Sequence, residues 1–163
     1  MSEHSKLKYR SILEDFLAAR EWSDELSIDS EKRSVRLETG ITLGDQTGHR
    51  LIIEASDASD CIDVYIIYGL KCRRAKLDEM SILLNEIHRR WLFGHFTCFE
   101  DGTIQWSHRM DFEGSSATGA SIEVALRSGW HVTERFLDAI VAVAMTGKSA
   151  KDAIAEYDES QNK

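Results

Sequence analysis

The chain contains no proline, and its longest uninterrupted apolar run, Ala139 to Met145, spans seven residues of 163. Without proline, no X-Pro isomerisation can slow folding. Seven apolar residues fall far short of the roughly 20 that a membrane-spanning helix needs, so no membrane role is expected. Cysteine is equally sparse. Cys61, Cys72 and Cys98 are odd in number and lack the paired spacing of zinc or redox sites, which predicts three free thiols, buried or partly buried. The first residues, Met1 to Lys6, lead into an amphipathic segment without an apolar signal-peptide core, and the expected compartment is the cytoplasm.

Basic charge is also in short supply, with 20 Lys and Arg against 28 Asp and Glu and a net charge of −8. Nucleic-acid binding relies on concentrated Lys and Arg, so a nucleic-acid partner is not expected. From Glu21 to Asp60 there are ten acidic residues and four basic ones, 4 − 10 = −6, and most of the negative charge therefore lies in the first strands. This stretch permits one minor reading, an acidic mimic that occupies a cationic partner. Catalytic signatures are missing as well. Ser115-Ser116 has no nucleophile-elbow glycine pattern, so no catalytic residue and no cofactor is assigned. An enzyme with an unrecognised site is the alternative, and a deep polar pocket with displaced pKa values would favour it.

The stretch that organises the chain runs from Leu77 to Gly114. Leu77, Met80, Leu84, Ile87 and Trp91 recur at spacings of three and four and form one helical stripe, which Arg89, Arg90 and Gly94 close as a basic last turn and left-handed cap. Asp101-Gly102 then sits between two β-type runs, Phe96 to Glu100 and Thr103 to Met110, and predicts a hairpin with a two-residue type I′ turn. In that register His95 faces His108. A metal there would need two further ligands that the face lacks, so the histidines are expected to be a structural pair and no metal is assigned.

Around this centre, Lys6 to Arg20 reads as a helix with a stripe of Tyr9, Ile12, Leu13, Phe16 and Leu17. Strand signals follow at Glu25 to Asp29, Val35 to Leu43, Arg50 to Ala55 and Cys61 to Tyr68, with connections short enough for an antiparallel meander. A long helix is expected from about Ala120 to Ala144, with Gly129 marking a bend or a close approach. Ser149 and Asp152 form a capping-box-like start for a last helix through about Tyr157. The domain is expected to be a single unit over residues 1–158, with 159–163 a disordered polar tail.

Asn85 to Arg90, Phe93 to Phe96, Asp101-Gly102 and Phe112 to Gly114 together resemble the YbjN-like family of bacterial proteins. The motif residues carrying this resemblance include Asn85, Arg89, Arg90, Gly94, Asp101 and Gly102, while His88 stands where the family usually has a second asparagine. The resemblance implies a type III secretion chaperone-like fold. It also implies a non-enzymatic regulator of signalling and stress responses that binds a protein or peptide partner and can pair as a homodimer. The expected architecture is α+β, an antiparallel sheet with its helices mainly on one face. Ile52, Tyr65, Ile67 and Phe96 alternate with the presumed core positions, and are therefore placed on the opposite face as candidate partner-binding residues that a monomer would leave wet. Asn85, Arg89 and Arg90 have a structural reading beside the functional one, through hydrogen bonds to neighbouring strands and the helix dipole.

Overall fold

The computed structural model describes residues 7–161. In chain order they form α1 (Lys8–Ala19), β1 (Leu26–Asp29), β2 (Ser34–Leu43), β3 (Gln46–Ser56), β4 (Cys61–Lys71), a 3-10 turn (Arg74–Lys76), α2 (Leu77–Arg90), β5 (His95–Cys98), β6 (Thr103–Asp111), α3 (Gly119–Arg135), α4 (Leu137–Met145) and α5 (Ala150–Gln161). The strands make one six-stranded sheet in the order β1-β2-β3-β4-β6-β5, and every neighbouring pair is antiparallel. The architecture is α+β, as the periodicities predict.

Alternation decides which face is buried. Val35, Leu37, Ile41 and Leu43 of β2 join Leu51 and Ile53 of β3, Ile62, Val64 and Ile66 of β4, and Ile104 and Trp106 of β6 in one apolar cluster. The described helices bury their stripes in that same cluster, among them Leu13, Met80, Ile87, Leu126 and Ile140. Burial of each such side chain contributes roughly 1.5–3 kcal/mol. The first helix, α1, lacks a cap of its own and takes one from the sheet: Asp57 accepts the backbone N–H groups of Lys8 at 2.8 Å and Tyr9 at 3.2 Å. The Tyr9 hydroxyl then donates to Asp60 at 2.5 Å.

Two expectations about the C-terminal third are corrected. The expected single helix is two, because α3 ends at Arg135 and α4 begins at Leu137, with Phe136 at φ −103 and ψ 6 between them. Thr133 supplies the cause. Its hydroxyl hydrogen-bonds back to Gly129 O at 2.8 Å and Trp130 O at 2.9 Å, which loosens the turn that follows. Phe136 is thereby turned into the core against Tyr157, with ring centroids 4.5 Å apart. The second correction is that α5 starts at the Ser149–Asp152 box as expected but continues through Gln161, so Glu159 to Gln161 are helical rather than tail. Residues 162 and 163 lie outside the described residues.

Candidate partner-binding face

The registers line up, across the sheet, the residues that point away from the helices. One row runs Glu38, Ile52, Tyr65, Ser107 and His95; the next runs Gly40, Arg50, Ile67, Gln105 and Thr97. Ile52, Tyr65 and Ile67 therefore form a contiguous apolar spot at the centre of a face outside the core cluster. Tyr65 and Ile67 are half-buried. Ile52 is only 5% exposed between its cross-strand partners Glu38 and Tyr65, so it is not the wet residue that alternation alone predicts. Phe99, 44% exposed, continues the alternation of His95 and Thr97 and extends the face toward the hairpin loop.

Charged residues frame the spot. Arg36 contacts Glu38 at 2.7 Å and Glu54 at 3.9 Å, Arg50 contacts Glu38 at 2.8 Å, and Arg109 contacts Asp63 at 3.8 Å. The Arg36 guanidinium, with Arg50 beside it, holds the Glu38 carboxyl below its ordinary value. Burial, together with Asp63 and Glu54, raises the Tyr65 phenol. Of the acidic stretch noted in the sequence, Glu38 and Glu54 are paired on this face. Apolar centre and ionic frame together suit a partner with both apolar side chains and charges.

The hairpin differs from its expected form by one residue. Phe99 N–H donates to Thr103 O at 2.9 Å and Gly102 N–H donates to Phe99 O at 2.8 Å, so the loop is Glu100-Asp101-Gly102. Only Gly102, at φ +82, is left-handed, as in a three-residue loop, whereas a type I′ turn would need Asp101 there too. The extra loop residue moves every pairing. His95 faces Ser107, whose hydroxyl lies 3.0 Å from His95 Nε2, and not His108. His108 instead stacks on Phe93, centroids 3.9 Å apart.

The same shift puts Phe96 opposite Trp106 on the helix side, 5% exposed, which removes it from the candidate face. There His88 takes a role that the sequence reading missed: its Nε2 accepts the Phe96 backbone N–H at 2.7 Å, and its ring stacks over Phe96. An imidazole whose acceptor nitrogen must stay unprotonated would show in sequence only as a histidine near a strand start, which is no signal at all. Burial, with His95 nearby, pushes both His88 and His108 below the ordinary histidine value.

The family-like motif residues lie on α2 and around the hairpin. Arg90 bridges Glu86 at 2.9 Å and Asp158 of α5 at 2.9 Å, and Arg89 contacts Glu86 at 3.0 Å. Asn85 is exposed on α2. Gly94, at φ +72, is not the cap expected of it, since α2 ends at Arg90 and its C-cap is Trp91 in extended backbone; Gly94 lies instead against Trp106. Asp101 binds Lys71 at 2.6 Å, and that contact with the Thr103 hydrogen bonds lowers its carboxyl to about 2. A cleft of 430 Å³ between α4 and α5 is lined by Arg135, Asp138, Lys148, Glu156 and Tyr157, far in sequence from the hairpin and open face. Among the described residues, no three His, Cys, Asp or Glu side chains converge on a metal position, and no helix is long and apolar enough to cross a membrane.

The α+β fold, a six-stranded antiparallel sheet with one helical face and one open face, is type III secretion chaperone-like. The structure of the HopA1-SchA chaperone-effector complex matches with a TM-score of 0.53 over 80% of this chain and 94% of that one, at 13% identity. The ExsC-ExsE complex matches with a TM-score of 0.52 over 83% of this chain and 96% of that one, at 16% identity. At these identities the likeness is one of fold. The crystal structure of YbjN from E. coli covers 88% of this chain and 89% of its own, at 11% identity and a TM-score of 0.48. No curated protein matches the sequence. The chain belongs to the YbjN family, described as "Putative bacterial sensory transduction regulator", whose pattern it matches over residues 9–142.

Proposed function

We propose that this chain is a non-enzymatic, chaperone-like regulator of the bacterial cytoplasm that holds an extended segment of a partner protein on its open sheet face. One observation carries the reading: the helices share one core, and Ile52, Tyr65 and Ile67 stand together outside it on the other face. Tyr65 and Ile67 are the anchors, because they retain accessible apolar surface, and Arg50, Glu38 and Arg109 supply the rim. Support comes from the family description and from two proteins of the same fold that are recorded in complexes, one of them a chaperone with an effector. A homodimer belongs to the same reading, with the second copy covering part of the frame.

The test pairs Ile67→Glu with Tyr65→Lys. Both variants keep the thermal midpoint within a few degrees, since neither side chain belongs to the core, and both lose the partner that co-purifies with the unaltered chain. Retained capture in both variants overturns the assignment of this face. Light scattering at high protein concentration decides the homodimer, which a strictly monomeric mass removes.

A further inference from the structure

The last helix, α5, packs on α2 and α4 through a thin apolar stripe. Ala150, Ala153 and Ile154 are buried and Tyr157 is half-buried, at the spacing i, i+3, i+4, i+7, and the two alanines bury little area. Tyr157 reaches Phe136, yet the cleft beside it stays open, with Ala139, Ala142 and Ala153 in its lining. By itself the segment is a poor helix. Its 12 residues lie at the lower limit for an isolated helix in water. Lys151 stands against Asp152, Glu156, Asp158 and Glu159, 1 − 4 = −3, and the last turn, where the helix dipole disfavours acids, holds no basic residue. The family pattern also stops at residue 142, before α5.

What holds α5 is a directional set of polar contacts. At its start the Glu79 carboxylate accepts the Ala150 backbone N–H at 2.7 Å. Near its end the Arg90 guanidinium grips Asp158 through two contacts, 2.9 and 3.3 Å, while Arg135 donates to the Tyr157 hydroxyl and to Gln161 Oε1 at 3.1 Å. A carboxylate thus meets the positive end of the helix and two guanidiniums meet its acidic half. The groove between α2 and α4, closed by Arg135 at the end of α3, fits an acidic helix running in one direction.

We propose that this groove is a second binding surface, on the helical side of the sheet, for an acidic amphipathic helix of a partner protein, and that α5 is a tethered stand-in which the partner helix displaces. The surface is separate from the open face and does not depend on it. The ligand carries small or aliphatic residues at the first three stripe positions, an aromatic at the fourth and an acid directly after it, as Ala150, Ala153, Ile154, Tyr157 and Asp158 do. Lys76 pins the connection before α5 at Gly147 O (3.1 Å) and Lys148 O (3.3 Å), so the helix swings out from Ser149 onward. A second copy's α5 offers the same contacts without the tether and gains nothing over the resident helix. A partner helix wins by being better formed, with a basic residue where α5 has Glu159.

The test measures, by fluorescence anisotropy, the binding of a fluorescein-labelled peptide of residues 147–163 to full-length chains. Asp158→Arg sets a like charge against Arg90 and loosens the resident helix, so this chain is expected to bind the peptide about tenfold more tightly than the unaltered chain, whose groove is filled. Arg90→Asp rejects that peptide and accepts the same peptide carrying Asp158→Arg, and a scrambled peptide binds none of the chains. On the unaltered chain, hydrogen exchange is expected to show residues 150–161 opening before α2 and α4. Exchange of α5 only together with the core overturns the proposal, as does absent binding to the Asp158→Arg chain or equal binding of the native peptide to both variants. A dimer of the unaltered chain that the peptide dissolves makes the occupant a second copy and overturns the choice of a partner protein.

Discussion

The six-membered ring of Trp106 stands where Gly129 has no side chain: a Cβ on residue 129 would lie 2.3 Å from Trp106 Cζ3. Trp106 is fully buried at the middle of β6, so α3 can lie flat on the sheet only if the helix residue above the indole is glycine. Gly129 marks this close approach, and the bend belongs to Thr133 and Phe136.

Gly129→Ala tests that packing. Helix propensity alone would favour alanine by about 1 kcal/mol, whereas the overlap with a fully buried ring costs roughly 1–3 kcal/mol or more as α3 is pushed outward. The packing term wins, and the urea midpoint falls. A midpoint at or above that of the unaltered chain would contradict the close approach.

Gly102→Val meets two obstacles, a backbone at φ +82 and a Cβ position 2.2 Å from Cys72 O. The three-residue loop relaxes the demand on Asp101 but not on Gly102, so the expected loss is at least ~1 kcal/mol in urea unfolding. Gly102→Ala is expected to lose less than valine and still more than an exposed control such as Glu100→Ala. An unchanged midpoint in the valine variant would contradict the loop geometry.

The histidines set a pH dependence. Burial depresses the pKa of His49, and burial with His95 depresses His88 and His108. Above the ordinary value of 6.5 these groups are neutral in both folded and unfolded chains and add no slope. As pH falls below about 6.5, the unfolded chain binds protons that the fold refuses, so stability drops toward the lower folded values. The thermal midpoint should decline between pH 7 and pH 5, before the carboxylates of Glu38 and Asp60, which are depressed in the fold, begin to contribute. Protonated His88 also loses the nitrogen that accepts Phe96 N–H. His88→Gln offers a carbonyl acceptor at every pH and should flatten part of the decline. A midpoint constant from pH 7 to 5 in the unaltered chain would contradict this assignment.

Removing the borrowed cap on α1 is a fourth test. Asp57 accepts two backbone N–H groups at the start of the helix, and Asp57→Ala should cost about 1 kcal/mol with protection lost first in residues 8–13 on hydrogen exchange.

Much of the fold was legible because strand alternation and helical spacing report burial directly. Val35 to Leu43 read correctly as a one-sided strand, and Leu77 to Arg90 as an amphipathic helix with a basic end. The candidate face was legible through Tyr65 and Ile67 for the same reason. Phe96 was misplaced because the face of a strand depends on loop length, and Asp-Gly serves both two-residue and three-residue hairpins. The break at Phe136 and the acceptor role of His88 depend on individual side-chain hydrogen bonds, from the Thr133 hydroxyl to Gly129 O and Trp130 O and from Phe96 N–H to His88, which carry no periodic signature.

The central claim is that a protein partner lies on the open face of the sheet, and site-specific crosslinking in the native cell tests it most directly. A photoreactive residue replaces Ile67 on that face in one variant and Val124, 59% exposed on α3, in another. The account predicts a discrete protein adduct from position 67, whether a second copy or another protein, and none from position 124. Adducts from position 124 alone, or from neither position, would contradict it.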